Sequence, residues 1–512
     1  MNGAESMLQV ARRAGVDVCF ANPGTTEMQL VAALDAVPGM RAVLGLFEGV
    51  CTGAADGYAR MRGIPALTLL HLGPGLANGL ANLHNARRAH SPIVNLVGDH
   101  ATWHLGADAP LTSDIESLAR PMSGWVRTVH TAAQAGQDMA DALAAALRPP
   151  GQVASLVIPQ ECAWDAAGPD LPAVKVPAPA AVQENRVQAA AATLRQGAAT
   201  VLFLGGRALR ARGLRAAARI AAATGCRVMH ETFFARLERG GDLPVFDRLP
   251  YFPEQALGAL GGAADMVLAG TRAPVAFFGY RGGASSVVPD TCTVSVCAQP
   301  EEAVEDTLEA LADHLGAPPY APGSRPERPA APSGALTPDS LCQALAAVQP
   351  PGAIVVDEAA TSGFAYTLFA GGDPHTILGL TGGAIGQGLP CAVGAAIACP
   401  DRRVIAFQAD GSGMYTVQAL WTMAREGLDV TTLVCANRKY RILQFELMRA
   451  GVPEPGRQAA RLTELAPPPL DWVSLARGLG VPGTRVDTAD ALVAELRRAL
   501  AAPGPSLIEA LL

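Results

Sequence analysis

The chain has 512 residues, which is enough for three domains of ordinary size, and half of its residues are hydrophobic. A formal net charge of −7 without a basic patch argues against nucleic acid as a partner. No apolar run reaches the ~18 residues of a membrane span, and the N-terminus lacks the pattern of a signal peptide. Ten cysteines form no CxxC pair, so we expect a soluble, cytoplasmic α/β protein with reduced thiols.

The first candidate site follows a strand predicted over residues 16–20. Residues 22–27 read Asn-Pro-Gly-Thr-Thr-Glu and predict a tight turn that opens a helix over residues 28–36. A glycine turn at the start of a helix can bind an anion or bring the backbone close to a ligand. Because such turns are common in α/β folds, this segment alone is a weak indication of a site.

A lone carboxylate, Glu48, lies between an apolar strand that starts near residue 42 and a helix rich in glycine and alanine. Burial at this junction would favour the protonated acid, as a catalytic role would need. An ordinary first-turn glutamate that interacts with the helix dipole explains the position equally well. The residues from 48 to 60 follow the pattern Glu-Gly-x-x-x-Gly-Ala-Ala-Asp-Gly-Tyr-Ala-Arg.

A histidine, His71, ends the strand predicted from residue 67, and residues 73–75 read Gly-Pro-Gly. This tripeptide predicts a turn before a helix over residues 75–85. A single histidine at a strand end is more often a hydrogen-bonded structural residue than a catalyst. Two further histidines, His100 and His104, follow the strand predicted over residues 93–97.

Two proline-rich segments, residues 169–179 and 316–338, are predicted linkers. They divide the chain into domains at residues 1–168, 180–315 and 335–512. The middle domain alternates strands and helices but contains no Gly-x-Gly-x-x-Gly motif, so a dinucleotide site has no direct support there.

Two polar segments of the last domain follow predicted parallel strands. Asp410-Gly411-Ser412-Gly413 follows the apolar run over residues 403–407, and Asn437 follows the strand predicted over residues 430–435. A carboxylate and an amide oxygen therefore meet at the carboxyl ends of two successive strands, and both suit a hard cation. The glycine turn exposes N–H groups to phosphate oxygens. Either segment alone could be an ordinary turn, but together they predict a Mg²⁺ ion that holds a diphosphate.

These segments resemble the motifs of thiamine-diphosphate enzymes, the superfamily of acetolactate synthase, pyruvate decarboxylase and benzoylformate decarboxylase. The resemblance spans nearly the whole chain and departs from the diphosphate motif at Ala409 and Ala436, where the family usually has glycine and often asparagine. It implies an α/β architecture of three domains, with two parallel-sheet cofactor-binding domains flanking a Rossmann-like central domain. It also implies thiamine diphosphate and Mg²⁺ as cofactors. Acetolactate synthases bind FAD in the central domain, but this one is short and we do not expect FAD.

The resemblance assigns the cofactor residues. The metal would be held by Asp410, Asn437 and the backbone carbonyl of Lys439. The diphosphate end of the cofactor would contact Gly411, Ser412, Tyr440 and the hydroxyl of Thr361. Gly383 would offer its carbonyl to the aminopyrimidine, and Ile385 would support the bent cofactor.

The first domain would supply the catalytic residues. Glu48 would act as the acid at the pyrimidine nitrogen, while Pro23 and Gly24 would lie beside the reactive ring and Thr25 would face the substrate. Benzoylformate decarboxylase uses a histidine at the position of His71 for proton transfer, whereas acetolactate synthases have a small hydroxyl residue there. His100 and His104 loosely resemble a histidine pair of pyruvate decarboxylases.

The resemblance implies a small-molecule 2-oxo acid as substrate and a homodimer or homotetramer with active sites at the subunit interface. His71 favours a decarboxylase. The Gly-Pro-Gly segment, and the lack of a second histidine near residues 277–280, favour a carboligase of the acetolactate synthase type. A non-catalytic protein that only binds the cofactor is a third alternative, although binding alone needs no buried acid.

Overall fold

The computed structural model describes residues 1–323 and 326–512, which fold around three β-sheets. Ser324 and Arg325, which belong to the predicted linker over residues 316–338, lie outside the described residues. Among the described residues, no helix is both long enough and apolar enough to cross a bilayer.

The first sheet is formed by the N-terminal third of the chain. Its strands are β1 (Val18–Asn22), β2 (Arg41–Leu44), β3 (Ala66–Leu70), β4 (Ile93–Asp99), β5 (Trp125–Thr128) and β6 (Val153–Pro159). The helices are α1 (Gly3–Arg13), α2 (Met28–Ala36), α3 (Glu48–Arg62), α4 (Leu72–Arg88), α5 (Thr102–Leu105), α6 (Ile115–Ala119), α7 (Ala135–Leu147) and α8 (Gln160–Trp164). All six strands run parallel in the order β2-β1-β3-β4-β6-β5.

The second sheet belongs to the middle of the chain. The strands of this part are β7 (Thr200–Leu204), β8 (Arg227–His230), β9 (Leu237–Arg239), β10 (Asp247–Arg248), β11 (Asp265–Ala269) and β12 (Thr293–Ala298). The helices are α9 (Glu184–Leu194), α10 (Ala211–Thr224), α11 (Pro253–Ala259) and α12 (Val304–His314). The sheet order is β10-β8-β7-β11-β12, and all neighbours are parallel. Since the chain builds first on one side of β7 and then on the other, the strand order reverses between β7 and β11.

The third sheet is mixed. Its C-terminal strands are β13 (Ile354–Glu358), β14 (His375–Gly379), β15 (Val404–Ala409), β16 (Val430–Ala436), β17 (Gly483–Val486) and β18 (Ser506–Leu511). The helices are α13 (Pro338–Val348), α14 (Tyr366–Phe369), α15 (Gly388–Ala398), α16 (Asp410–Gly413), α17 (Ala419–Arg425), α18 (Arg441–Arg449), α19 (Arg457–Thr463), α20 (Trp472–Gly478) and α21 (Ala489–Ala501). The sheet order is β17-β18-β16-β15-β13-β14-β9. The predicted α/β fold is confirmed, but this sheet is not wholly parallel, because β9 of the middle segment adds to its edge antiparallel to β14.

Two predicted turns are helical instead. The Gly-Pro-Gly segment lies in the first turn of α4, which begins at Leu72 with His71 as its N-cap residue. Proline is well tolerated in a first helical turn, where its missing N–H has no partner to lose. Residues 410–413 likewise form the short helix α16 rather than a loop.

The first and third sheets are joined by helices α3 and α15, whose backbones touch. A Cβ added to Gly57 would lie 2.1 Å from the carbonyl oxygen of Cys391, and one added to Gly394 would lie 1.8 Å from that of Ala54. Beside this contact, a fully buried ion pair joins Asp56 and Arg60 at 2.6 Å, and Arg60 Nη1 donates to the Gly379 carbonyl at 2.7 Å. Residues 56–60, which read Asp-Gly-Tyr-Ala-Arg, therefore hold the two sheets together.

Candidate active site

The first group of candidate residues lies where β1 and β3 end at their carboxyl edge. His71 follows β3, and its Nδ1 lies 2.8 Å from Oε2 of Glu27, whose side chain is fully buried. The same Oε2 accepts the N–H of Gly24 at 2.7 Å, and the Thr26 hydroxyl donates to Oε1. Glu27 is therefore a buried carboxylate that orients both the turn over residues 22–27 and the imidazole of His71.

This arrangement determines how the imidazole can act. Oε2 of Glu27 already accepts the N–H of Gly24, so the hydrogen-bond network assigns the hydrogen of the Glu27–His71 contact to Nδ1 of His71. Nε2 is then the nitrogen left to exchange a proton. Close packing holds the pair in place, because a Cβ added to Gly98 would lie 1.8 Å from Glu27 Oε1 and one added to Gly24 would lie 2.3 Å from His71 Nδ1.

Sequence reasoning missed Glu27 as a functional residue. Its bond to the N–H of Gly24, three residues earlier, is an ordinary capping interaction, which the local sequence does indicate. The contact with His71 joins residues 44 positions apart, so only the tertiary structure reveals it.

Glu48 is the first residue of α3 and is 7% exposed. Its Oε2 accepts a hydrogen bond from Asn78 Nδ2 at 3.0 Å. A Cβ added to Gly75 would lie 3.1 Å from Glu48 Oε1, so the glycine in the first turn of α4 leaves room for this carboxylate. Thr25 is exposed on the short 3₁₀ helix Thr25–Glu27, and Pro23 and Gly24 are half-buried just before it.

The second group surrounds the glycine-rich loop before α15. Gly383 has φ = +75°, a conformation that favours glycine, and a Cβ there would lie 2.6 Å from the ring of Phe277. Ile385 is half-buried two residues further along. This loop is therefore in contact with an aromatic residue of the middle segment.

A buried carboxylate that the sequence did not single out, Glu358, anchors the loop. Its oxygens accept the N–H groups of Gly386 at 2.7 Å and Gly388 at 2.8 Å, as well as the side-chain amide of Gln408 at 2.8 Å. Burial raises the pKa of Glu358, and these hydrogen bonds partly offset that rise.

Helix α4, which belongs to the same domain as Glu48, holds the loop through asparagine side chains. Asn82 Nδ2 donates to the Gly49 carbonyl at 2.8 Å and to the Gly386 carbonyl at 3.3 Å, and Asn85 Nδ2 donates to the Ala384 carbonyl at 2.7 Å. Asn78, Asn82 and Asn85 share one helix face, and this spacing of three asparagines can be read from the sequence.

No hydrogen bond or ion pair among residues 1–323 and 326–512 joins the Glu48 side chain to Asp410 or Asn437.

The third group lies at the carboxyl ends of β15 and β16. Asp410 is 2% exposed, and its carboxylate accepts the N–H of Arg438 at 2.6 Å and of Gly411 at 2.9 Å. Arg438 has φ = +58°, so the backbone after Asn437 turns its N–H toward Asp410. Asn437 Oδ1 accepts the N–H of Lys439 at 3.0 Å. The structure therefore brings the predicted metal-binding residues together.

The chemistry of this group suits a divalent cation. Burial raises the pKa of Asp410 to about 6, against the lowering effect of its backbone hydrogen bonds. No cationic side chain of the described residues pairs with it, so a bound cation would supply the missing charge. The predicted ligands, a carboxylate, an amide and a backbone carbonyl, are oxygen donors of the kind that Mg²⁺ accepts. The described residues contain no cluster of three or more His, Cys, Asp or Glu side chains able to hold a metal.

The other residues predicted to contact the diphosphate differ in their exposure and in their contacts near Asp410. The ring of Tyr440 covers Gly411, where a Cβ would lie 2.5 Å from Tyr440 Cε1. The Ser412 hydroxyl is buried and accepts from Gln408 Nε2 at 2.9 Å, so this side chain is already hydrogen-bonded within the protein. Thr361 is half-buried on the 3₁₀ helix Ala360–Ser362, just after β13.

The two further histidines form a pair outside these groups. The rings of His100 and His104 are 5.4 Å apart, and Nε2 of His100 is buried with no hydrogen-bond partner among the described residues.

Polar side chains at the carboxyl edges of parallel strands are typical of α/β enzymes that bind a cofactor. Residues 1–119 match the N-terminal TPP binding domain of thiamine pyrophosphate enzymes, and residues 361–510 match the C-terminal TPP binding domain. The chain belongs to the thiamine pyrophosphate enzymes, and both matched domains support thiamine diphosphate as its cofactor.

Its relatives include synthases and decarboxylases. The chain is 51% identical to IlvX of Mycobacterium tuberculosis, provisionally named an acetolactate synthase large subunit, over 99% of this chain and 98% of that protein. It is 29% identical to benzoylformate decarboxylase of Pseudomonas aeruginosa, over 98% and 97% of the two chains. The solved structure of the thiamine diphosphate-dependent 4-hydroxybenzoylformate decarboxylase of Rhodococcus jostii has a TM-score of 0.87 at 26% identity, over 99% and 98% of the two chains.

Proposed function

We propose that this protein catalyses the non-oxidative decarboxylation of a small 2-oxo acid with thiamine diphosphate and Mg²⁺. The observation that carries the proposal is the contact between the buried Glu27 and the part-buried His71, at the same sheet edge as Glu48, because it would offer an oriented proton donor beside the cofactor. Such a donor has no use in a protein that only binds the cofactor.

The residues of the third domain would hold the cofactor. Asp410, Asn437 and the Lys439 carbonyl would bind Mg²⁺, while Gly383 would present its carbonyl to the aminopyrimidine. Glu358, Asn82 and Asn85 are positioning residues for that loop, since they hold its backbone from two domains. Thiamine diphosphate, when bound, supplies the carbon nucleophile and the electron sink that decarboxylation needs.

The first domain would move the protons. Glu48 would hold a proton at the pyrimidine ring nitrogen, and Asn78 orients its carboxyl group. His71, oriented by Glu27, would deliver a proton from Nε2 to the product carbon, which releases an aldehyde. As the resemblance to the family implies, a second copy of the chain would complete the site, in a homodimer or homotetramer with Glu48 of one subunit opposite Asp410 of the other.

A carboligase of the acetolactate synthase type is the second candidate. It is favoured by the 51% identity to IlvX and by the lack of a histidine in residues 277–280. Incubation with a panel of 2-oxo acids, with and without aldehyde acceptors, separates the two candidates by product mass. Aldehyde alone supports the decarboxylase, and a ligated product as the main species supports the carboligase.

The His71→Ala variant tests the proton donor. We expect aldehyde release to fall by about 10²-fold to 10⁴-fold, the usual contribution of general acid catalysis. Cofactor binding should be unchanged, because the hydrogen-bond partners of the His71 ring in the described part of the chain, Thr26 and Glu27, belong to the first domain and are not assigned to the cofactor. Steady-state aldehyde formation and cofactor titration measure the two effects. Unchanged aldehyde release would remove His71 from the mechanism.

The Glu27→Gln variant tests the positioning of His71. We expect kcat to fall by about 10-fold to 100-fold with little change in KM, because a misoriented imidazole slows proton transfer without weakening substrate binding. Glu5→Gln is the matched control, since Glu5 caps α1 through the N–H of Asn2 in the same way but contacts no histidine. A loss of the same size in both variants would show that only helix capping matters.

A further inference from the structure

A buried polar network joins the loop before α15 to the turn that follows β15, and Gln408 lies in the middle of it. Gln408 belongs to β15, two residues before Asp410, and its side chain is fully buried. Its Nε2 donates to Glu358 Oε2 at 2.8 Å and to Ser412 Oγ at 2.9 Å, while a third contact, with the Ala409 carbonyl, is longer at 3.5 Å. One amide group therefore connects the carboxylate that anchors the loop to the hydroxyl that follows Asp410.

Glu358 determines which way the Gln408 amide points. The two carboxylate oxygens of Glu358 already accept the backbone N–H groups of residues 386–388, at 2.7, 3.2 and 2.8 Å in chain order. A carboxylate that receives three backbone hydrogens acts as an acceptor, so the hydrogen-bond network assigns Nε2 of Gln408, rather than Oε1, to the position that faces it. The same nitrogen is therefore the atom that contacts Ser412.

This orientation determines the role of the Ser412 hydroxyl. A hydroxyl group has one hydrogen and two lone pairs, and here one lone pair accepts a hydrogen from Gln408. In the described part of the chain, the acceptors that its own hydrogen can reach are the carbonyls of Ala409 at 3.3 Å and Glu358 at 3.5 Å. Both distances exceed the roughly 2.5–3.0 Å of a well-formed O–H···O bond. The protein therefore holds this hydrogen only weakly and leaves it available to an anion.

The needs of the fold alone do not account for a glutamine at this position. The other amide atom of Gln408, Oε1, is buried with no hydrogen-bond partner among residues 1–323 and 326–512. It lies against Gly388, where an added Cβ would be 2.3 Å away. A buried carbonyl oxygen without a partner destabilises a protein, and an apolar side chain of similar length would avoid that cost. The glutamine therefore points to a use for its Nε2 donor beyond the stability of the fold.

We propose that Gln408 is a positioning residue for the cofactor diphosphate, because it holds the Ser412 hydroxyl as an acceptor and leaves the hydroxyl hydrogen for a diphosphate oxygen. The inference rests on the part of the proposed function that puts the diphosphate beside Asp410. A hydrogen bond to a charged oxygen is stronger than one between neutral groups, so the orientation of this hydroxyl bears directly on cofactor affinity. The resemblance assigned Ser412 to the diphosphate but not Gln408, whose two partners lie 50 and 4 positions away in the chain.

Calorimetric titration with pyrophosphate and Mg²⁺, and separately with thiamine diphosphate and Mg²⁺, tests this role. Pyrophosphate has no aminopyrimidine, so its affinity reports on Ser412 without the Gly383 loop. We expect the Gln408→Met variant to bind both ligands about 10-fold more weakly, since methionine has a similar length but donates no hydrogen bond. A loss for thiamine diphosphate with none for pyrophosphate would overturn the proposal, because the effect would then come from the loop. A wild type that binds neither ligand would contradict the proposed function itself.

A double-mutant cycle shows whether Gln408 acts through Ser412. We expect Ser412→Ala alone to weaken pyrophosphate binding by about 10-fold to 100-fold, the contribution of one hydrogen bond to a charged group. Adding Gln408→Met to Ser412→Ala should cause little further loss, because the hydroxyl that Gln408 orients is then absent. Losses that simply add, or wild-type affinity in Ser412→Ala, would overturn the proposal.

Gln349→Met is the matched control. Gln349 is also a buried glutamine of the third domain, and its Oε1 accepts a hydrogen bond at 2.6 Å from the hydroxyl of Tyr366, which is not among the residues assigned to the cofactor. Its replacement should lower the unfolding temperature of the cofactor-free protein without changing pyrophosphate affinity. Gln408→Met should lose affinity although it unfolds no earlier than this control. An equal loss of pyrophosphate affinity in both variants would overturn the proposal, since the loss of any buried glutamine would then explain it.

Discussion

The Glu48→Gln variant should lose turnover by about 10²-fold to 10⁴-fold, the range that general acid catalysis contributes. The change keeps the size and hydrogen-bonding shape of the side chain, so Asn78 can still donate to its oxygen. What it removes is the ability to hold and exchange a proton at the cofactor. Steady-state turnover of a 2-oxo acid, with cofactor affinity measured separately, checks this result.

Glu184→Gln is the control for that variant. Glu184 is also the first residue of a helix, α9, but it is exposed and far along the chain from the site. Its replacement removes a first-turn charge without touching a candidate catalytic group, and we expect wild-type turnover. If Glu48→Gln also kept wild-type turnover, Glu48 would be an ordinary first-turn glutamate and the proposed acid would be wrong.

The Asp410→Asn variant should bind thiamine diphosphate and Mg²⁺ at least about 100-fold more weakly. Residues that merely support a metal ligand contribute about 10-fold to 100-fold to affinity, and a charged ligand should contribute no less. The amide oxygen can still accept one of the two N–H groups, from Gly411 or Arg438, so the loop should keep its path. Fluorescence titration of cofactor at fixed Mg²⁺ measures the loss, and Asp401→Asn in the exposed turn before β15 is the control.

The stability of the Asp410→Asn variant distinguishes two roles for Asp410, a metal ligand and a residue that the fold itself requires. Burial raises the pKa of Asp410 to about 6 in the folded protein, from an ordinary value of 3.8. Its contribution to stability is therefore present at low pH and is lost as pH rises through about 6, where the carboxylate must ionise in a buried place. Above that pH, metal-free Asp410→Asn should unfold no lower than the metal-free wild type. A clear loss of stability, or unchanged cofactor affinity, would contradict the assignment of Asp410 as a metal ligand.

Much of the architecture follows from local patterns. The apolar run before Asp410, the strand before Asn437 and the helix that begins at Glu48 all form where the sequence predicts them. Thr488 caps α21 through the N–H of Ala491, a contact between residues three positions apart. These features depend on neighbours within a few residues, so hydrophobic period and capping chemistry are enough to find them.

Predictions from local patterns were wrong where the conformation of a segment depends on the residues that pack against it. The Gly-Pro-Gly segment was predicted as a turn, but it forms the start of α4 beside Glu48. Glycine and proline occur in turns and in first helical turns alike, so the choice depends on what packs against them. The third sheet is mixed for a similar reason, since β9 pairs with β14 across more than a hundred residues of chain.

The sequence by itself determined the family and the fold class, and it predicts Asp410 and Asn437 as metal-binding residues, because each of these features is carried by a short motif next to a strand. Only the tertiary structure showed that Glu27 orients His71 and that Glu358 and Asn85 hold the Gly383 loop. These contacts join residues 44, 28 and 299 positions apart. A side chain's pairing over such separations depends on how whole sheets and helices pack, which no local pattern encodes.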